Sequence, residues 1–177
     1  MELLLGCGNS RLKRVIPGWT PTEWKRLVTM DIDPNCKADI LGDIEDGLPF
    51  HDNQLDEVHA YDVMEHLGSP GDYKAFFRDF GEVYRVLKPY GLFCGITPHW
   101  NGPWAWNDPG HRRVISLHTL QFLSQEMYKT QVGVTAVTDY RHIWKGDFRL
   151  VAADENTNKD GTLGSQMWVL QKHPATV

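Results

Sequence analysis

The sequence predicts an α/β fold, an open and mostly parallel sheet with an antiparallel edge. Strand patterns alternate with helical patterns over residues 3–97, and the last third of the chain changes to a run of strands. The apolar run Leu3–Leu5 leads directly into a turn with two glycines, Gly6 and Gly8, as expected for a buried parallel strand followed by a sharp turn. No linker or repeat divides the 177 residues, so we expect one domain, residues 1–177.

Helices of unequal strength connect the parallel strands. A brief helical stripe is predicted over 12–16, and the capping pattern at Thr20–Glu23 predicts a short helix through Arg26. The strongest helix is predicted to start at a Ser69 cap, because apolar residues then recur at three- and four-residue steps as far as Leu87. The strands themselves are predicted at 3–5, 27–30, 38–41, 55–60 and 92–97.

The last third begins with an irregular segment. Residues 98–113 are rich in proline and glycine and predict a loop without regular structure. Ser116 is predicted to cap a helix that runs to Met127. Three strands are then predicted, at 132–140, 148–153 and 167–171.

Composition limits the classes of function. The net charge is −5 and the pI about 5.9, so nucleic-acid binding is disfavoured without being excluded; Arg11–Arg14 is read as a solvated helix face. Three scattered cysteines fit neither a disulfide framework nor a zinc cluster and predict a reducing, cytoplasmic setting. There is no apolar run of membrane-spanning length, and Met1 lies almost on the first strand, so we expect no membrane contact and no cleaved signal peptide.

Two carboxylates follow the second and third strands. Asp31 comes 25 residues after Gly6, where it can accept hydrogen bonds from both ribose hydroxyls of an adenosine-containing cofactor. The third glycine of a dinucleotide-binding turn is replaced by Arg11, which argues against a pyrophosphate. Asp43 can accept from an adenine amino group with Ile44 packed on the ring, or it can merely cap a turn.

Six motifs in this order resemble those of class I methyltransferases that use S-adenosylmethionine. They are Leu3–Gly8, Met30–Asp33, Gly42–Phe50, Leu55–Val58, Val63–Leu67 and Leu87–Gly91. The resemblance implies an open, doubly wound, Rossmann-like sheet of seven strands, the last antiparallel, with helices on both faces. It also implies S-adenosylmethionine as cofactor. Two family features are missing: Leu5 stands near the place of an acidic residue, and there is no N-terminal cap helix.

The same resemblance assigns cofactor-binding residues. Gly6, Cys7 and Gly8 are expected to flank the methionine part, Asp31 to hold the ribose, and Asp43 with Ile44 to hold the adenine. Ile32, Ala60 and Tyr61, which adjoin these motifs, complete the expected set.

Two histidines are the predicted catalytic residues. His66 follows the fourth strand and could act as a general base, or it could simply orient the chain by hydrogen bonding. His111 could orient the nucleophile from the opposite side. His99, Asp108 and His111 match no specific metal spacing, so no metal site is expected.

The segment 98–115 is the predicted substrate-facing loop. His99, Trp100, Trp104 and Trp106 are its expected substrate residues. Three tryptophans are costly to expose, so we expect them to pack as a lid, as a protein interface, or as an aromatic wall around a planar or cationic group.

These observations favour methyl transfer to an oxygen or nitrogen nucleophile, on a small molecule. The same chemistry on nucleic acid or protein is one alternative. A second is a sugar-nucleotide transferase, since Asp31-Ile32-Asp33 is a D-x-D pattern able to hold a divalent cation. A third is a non-catalytic partner protein of the same fold. The sequence does not indicate an oligomeric state.

Overall fold

A computed structural model describes residues 1–174 and places seven strands in one sheet. Their order across the sheet is β3-β2-β1-β4-β5-β7-β6. Neighbours among β1 to β5 pair in parallel, and β7 is antiparallel to both β5 and β6. This confirms the predicted seven-stranded, mostly parallel sheet. The strands are β1 (Glu2–Leu5), β2 (Leu27–Asp31), β3 (Ile40–Leu41), β4 (Leu55–Tyr61), β5 (Leu87–Pro98), β6 (Asp147–Thr157) and β7 (Leu163–His173).

Four α-helices follow β4 and β5: α1 (Tyr73–Val86), α2 (Trp104–Asn107), α3 (Leu117–Leu120) and α4 (Gln125–Gln131). The cap of α1 is Asp72 rather than Ser69, because the Asp72 side chain accepts the Ala75 N–H at 2.9 Å. Ser116 caps α3 as predicted. The predicted helix as far as Met127 is broken at Ser124, which instead caps α4.

An aromatic core packs against one face of the sheet. Phe80 of α1 lies 5.8 Å from Phe93 of β5, and Phe93 lies 5.0 Å from Trp168 of β7 (ring centroids). A Cβ at Gly95 would come within 2.0 Å of the Trp168 ring, so the indole occupies the space that a side chain there would need. This aromatic core holds β4 and β5 in position. The candidate active site lies at the carboxyl ends of these strands and their neighbours.

The opposite face carries buried charges. Glu57 of β4 pairs with Lys13 at 2.7 Å, and the rings of Trp24 and His59 meet edge to face with their centroids 4.9 Å apart. Both charged residues are largely buried, so the patch 11–14 is not a solvated helix face. Residues 11–26 contain no helix in the structure, and the two helices predicted there are wrong. An isolated turn of so few residues cannot offset the cost of helix nucleation.

The strand predicted at 132–140 is also wrong. Gly133 has a φ of 80°, and Val134 is 78% exposed, so this stretch forms turns outside the sheet. The segment pairs with neither edge strand, β3 or β6, because its glycine turn interrupts the extended backbone that a strand needs. Within the described part of the chain, none of the helices combines the length and apolarity needed to cross a membrane.

Candidate active site

A crevice of about 350 Å³ opens at the carboxyl ends of β1 to β4. Five predicted cofactor residues line it: Gly6, Asp31, Ile32, Asp43 and Ile44. Parallel strands end together at this edge of the sheet, and that brings together residues that are far apart in sequence. The volume falls in the range of small-molecule sites.

The glycine turn forms one wall of the crevice. Gly6 has a φ of 57°, and a Cβ there would lie 2.3 Å from Val63 Cγ2. Gly8 has a φ of 47°, but a Cβ there would meet nothing within 4 Å. Gly6 therefore permits the close approach of the turn to Val63, and Gly8 leaves open space above the turn. Cys7 is buried and its thiol donates to the Gly8 carbonyl at 3.4 Å, while burial raises the pKa of that thiol.

Asp31 fixes the turn from the neighbouring strand. Its Oδ2 accepts the Gly8 N–H at 2.7 Å, and its Oδ1 accepts the Asp33 N–H at 2.9 Å. A carboxylate has about four acceptor sites, so each oxygen retains one for a ligand hydroxyl. Asp43 caps a 3₁₀ turn, as its Oδ1 accepts the Glu45 N–H at 2.9 Å. The capping alternative for Asp43 is thus seen, and the residue also lines the crevice.

Ala60 and Tyr61 do not line the crevice. Ala60 is fully buried in β4 between its neighbours on β1 and β5. The Tyr61 hydroxyl contacts His59 Nδ1 at 2.7 Å and both backbone groups of Arg14, on the charged face of the sheet. Neither side chain is brought to the predicted cofactor site.

The two predicted catalytic histidines meet at the other end of the crevice. Their ring centroids lie 4.8 Å apart, edge to face, so the rings are adjacent instead of on opposite sides. His66 lines the crevice, and its Nδ1 lies 3.1 Å from the Gly110 carbonyl. The N–H groups of Arg112 and Arg113 donate to the Glu65 carbonyl at 2.8 and 3.1 Å, which holds the loop after β5 against the turn after β4.

Glu65 is the residue that sequence reasoning missed. It is 2% exposed, and within residues 1–174 neither carboxylate oxygen has a hydrogen-bond partner. Burial, with repulsion from Asp62 and Asp108, raises the pKa of Glu65 to about 8. Without a cation beside it, this carboxyl group is mostly protonated at neutral pH. Its one sequence signal was a glutamate directly before His66.

The three loop tryptophans are exposed, by 45% (Trp100), 59% (Trp104) and 71% (Trp106). The alternative in which they form a lid packed on the domain's own core is therefore wrong, whereas the protein interface and the aromatic wall stay predictions. Trp106 lines a second cavity of about 440 Å³ together with His111 and Arg112, and Arg112 also lines the crevice. Trp100 and Trp104 line neither cavity.

His99 lies apart from both cavities. It is buried, its Nε2 lies 3.1 Å from Glu155 Oε1, and its Nδ1 accepts the Asn101 N–H at 3.1 Å. Both ring nitrogens are thus engaged in holding the start of the loop against β6.

Comparisons with known proteins agree with this geometry. The family model described as "Methyltransferase domain" matches residues 3–95, more than half of the chain. The chain belongs to this methyltransferase family. The matched span contains the glycine turn, Asp31, Asp43 and His66, and ends in β5. No match was found among curated protein sequences.

Solved structures share the whole fold of this methyltransferase. A chain from the complex of the Trm112 activator with a methyltransferase of Haloferax volcanii is 15% identical, with a TM-score of 0.60, covering 99% of this chain and 83% of that one. The S-adenosylmethionine-dependent methyltransferase of Archaeoglobus fulgidus is 14% identical (TM-score 0.57, coverage 97% and 85%). YcgJ of Bacillus subtilis is 13% identical (TM-score 0.56, coverage 99% and 92%).

The protein is therefore an S-adenosylmethionine-dependent methyltransferase. The crevice fits that cofactor, since one cavity is lined by carboxylates, by the apolar Ile32 and Ile44, and by Gly6 of the glycine turn. The D-x-D alternative has no support, because Asp33 is outside the crevice and its Oδ1 accepts from Asn35. The [4+2]-cyclase SpnF has the same fold at 12% identity (TM-score 0.55, coverage 97% and 74%), so the fold does not identify the acceptor.

Proposed function

We propose that this methyltransferase methylates an oxygen or nitrogen nucleophile of a small molecule. The observation that carries the proposal is a single crevice with two chemically different ends. One end presents Asp31 and Asp43 below the apolar Ile32 and Ile44, and the other presents His66. The first end suits an adenosine, and the second suits a group that must lose a proton.

The cofactor orientation follows from these two ends. Asp43 Oδ2 would accept from the adenine amino group, Asp31 would hold the ribose hydroxyls, and the turn Gly6–Gly8 would flank the methionine part. Bound S-adenosylmethionine supplies a methyl group activated by the positive sulfonium. That arrangement directs the methyl group towards the end of β4, where His66 lies.

The acceptor would enter from the second cavity, between Trp106 and Arg112. His66 would remove its proton and His111 would orient its nucleophilic atom, because a neutral imidazole both accepts and donates hydrogen bonds. As the nucleophile attacks the methyl carbon, the carbon–sulfur bond breaks and its electron pair stays on sulfur. Correct positioning of the two reactants can supply roughly 7–11 kcal/mol of rate enhancement.

The surface charge supports a small acceptor over nucleic acid. Besides the net charge of −5, the basic run 11–14 is used internally. Lys13 is buried against Glu57, Arg11 donates to the Gly8 and Ser10 carbonyls, and Arg14 lies 3.5 Å from Asp62. These cations are therefore not free to bind a phosphate backbone.

We also propose that residues 1–177 act as one domain in the cytoplasm. The three cysteines are all unpaired, and two of them, Cys7 and Cys94, are buried, which suits a reducing compartment. One sheet runs from Glu2 to His173, so the described chain has a single core.

A titration followed by a screen tests the proposal. Calorimetry should detect binding of S-adenosylhomocysteine, and uridine diphosphate should not bind, whether or not the protein already holds manganese. Labelled S-adenosylmethionine should then transfer its methyl group to a fraction of small metabolites. Transfer only to RNA, DNA or protein would contradict the proposed acceptor class while leaving methyl transfer intact.

A further inference from the structure

We propose that Glu65, His66 and His111 bind a divalent transition-metal cation that holds and activates the methyl acceptor. The inference rests on the proposed function, and it changes one step, since the histidines would act as ligands and not as bases. One ligand atom from each residue lies within 4.8 Å of the other two. Donors around one such cation are separated by roughly 3–3.5 Å, so small side-chain rotations would close the site.

The unpaired atoms point to a ligand. Both Glu65 oxygens and His111 Nδ1 are buried and lack a hydrogen-bond partner among the described residues. Buried polar atoms without partners are rare and costly, and here three of them belong to one cluster. A cation would satisfy all three.

The surroundings of each histidine leave one nitrogen for the cation. His66 Nδ1 lies 3.1 Å from the Gly110 carbonyl, which selects the tautomer with a proton on Nδ1 and frees Nε2. His111 Nε2 lies 3.8 Å from Asp108 Oδ2, which leaves Nδ1 free. Metal-binding histidines usually have such a carbonyl or carboxylate partner on their other ring nitrogen.

The backbone holds the ligands in place. The Glu65 carbonyl accepts two N–H groups from Arg112 and Arg113, directly after His111. The Gly110 N–H donates to Asp108 Oδ1 at 2.7 Å, which fixes the carboxylate next to His111. The ligands thus come from two loops that are already bonded together.

The donor set indicates the class of cation. Two imidazoles and one carboxylate suit Zn²⁺, Fe²⁺, Mn²⁺ or Co²⁺, whereas Ca²⁺ prefers oxygen ligands alone. Three protein ligands leave positions for a further group, as in catalytic sites. His66 borders the cofactor crevice, so a bound acceptor hydroxyl would have its pKa lowered and would lose its proton to water beside the methyl group.

A second trio, Cys7, Asp31 and Cys36, has the same spacing but lacks the unpaired atoms. Both Asp31 oxygens accept backbone N–H groups, and the Cys7 thiol donates to a carbonyl. The two trios differ in chemistry, because only the trio with Cys7 and Cys36 would give thiolate-to-metal absorption when a cation binds. An absorption spectrum of the Co²⁺-bound protein therefore shows which trio holds the cation.

Titration of metal-free protein with Co²⁺, followed by visible absorption, tests the inference. We expect one Co²⁺ per chain, no thiolate band and no competition by Ca²⁺. Glu65→Gln and His111→Asn should each weaken Co²⁺ binding by more than about 10–100-fold, the range already caused by loss of an outer partner. His118→Asn, at an exposed histidine outside the site, should leave it unchanged.

Three results would contradict the inference. Absence of Co²⁺ binding at saturating S-adenosylhomocysteine, a thiolate band, or unchanged binding in both variants would overturn the cation site. S-adenosylhomocysteine binding in the presence of a chelator is measured on the same proteins. It reports folding and cofactor binding, so failure of the metal inference is distinguishable from failure of the proposed function. If Glu65→Gln does not fold, His66→Ala at the partly exposed ligand replaces it.

Discussion

We call the part of the crevice lined by Asp31 and Asp43 the cofactor end, and the part lined by His66 the acceptor end. The two ends are built differently. The cofactor end consists of strand termini, with Asp31 at the end of β2 and the glycine turn after β1. The acceptor end consists of two loops, which bring Glu65 and His111 together across 46 positions of sequence. Strand ends are fixed by the sheet, whereas paired loops depend on a few backbone hydrogen bonds. Changes at one end should therefore leave the other end working.

The largest effect is expected for Gly8→Val. A Cβ at Gly8 enters open space above the turn, which the methionine part of the cofactor needs. Affinity for S-adenosylhomocysteine should fall by roughly 100-fold, about 2.8 kcal/mol. Calorimetry measures this directly.

Gly133→Val is the matched control for backbone strain. Gly133 also has a positive φ and free space around its Cβ, but it lies after α4, away from the crevice. Both variants should lose roughly 1–2 kcal/mol of stability to the left-handed backbone conformation. Equal cofactor affinity in the two variants would show that the cofactor lies elsewhere.

Asp31→Ala should weaken the same binding by about 1.5–3 kcal/mol, the scale of hydrogen bonds to a charged group. The fold should persist, because Asp31 lies at a strand end. Asp33→Ala, two residues away and outside the crevice, should bind S-adenosylhomocysteine like the wild type. A folded Asp31→Ala protein with unchanged affinity would end the ribose assignment.

At the acceptor end, Trp106→Ala should spare cofactor affinity and lower kcat/KM for the true acceptor. Loss of one aromatic contact of about 0.5–1.5 kcal/mol corresponds to roughly 2–12-fold. Trp104→Ala is the control, because Trp104 is similarly exposed yet lines neither cavity. Equal turnover in the two variants would remove Trp106 from the acceptor site.

The smallest effect is expected for Asp39→Asn, at a residue outside the crevice. Asp39 accepts from both the N–H and the hydroxyl of Thr29, each at 2.8 Å, and these bonds lower the pKa of Asp39. A lowered carboxyl pKa stabilises the fold above the unfolded value of 3.8, and this contribution is lost as pH falls below it. Asp39→Asn should cost a few tenths of a kcal/mol near pH 7, as for other exposed charges.

Thermal unfolding from about pH 7 down to pH 3 checks this sign. The difference between wild type and Asp39→Asn should shrink on acidification. A difference that grows as the pH falls would show that the lowered pKa is misassigned. Cofactor affinity should stay the same in both proteins, since Asp39 lies outside the crevice.

Five of the nine residues predicted to bind the cofactor line the crevice, whereas His66 is the only predicted catalytic or substrate residue that lines it. Gly6, Asp31 and Asp43 could be placed because parallel strand ends converge by topology alone. Ala60 and Tyr61 were misplaced because the orientation of residues near a strand end depends on the register, which the sequence does not show. Glu65 was missed because its burial comes from a loop that returns 46 residues later.

The errors in the fold have a similar origin. The segment 132–140 alternates like a strand, but Gly133 has a φ of 80° and turns the chain outside the sheet. Residues 20–23 carry a capping pattern, but the helix predicted through Arg26 would be too short to form. The helix Tyr73–Val86 was found because its apolar stripe is long and packs on the core. Patterns that need a partner far away in sequence were the ones that failed.

Hydrogen–deuterium exchange with and without S-adenosylhomocysteine tests the division of the crevice most directly. We expect slower exchange in peptides that cover the glycine turn (5–10), the end of β2 (30–33) and the turn after β3 (42–46). The loop segment 99–107 should exchange at the same rate in both states. Protection of 99–107 without protection of the glycine turn would contradict the account.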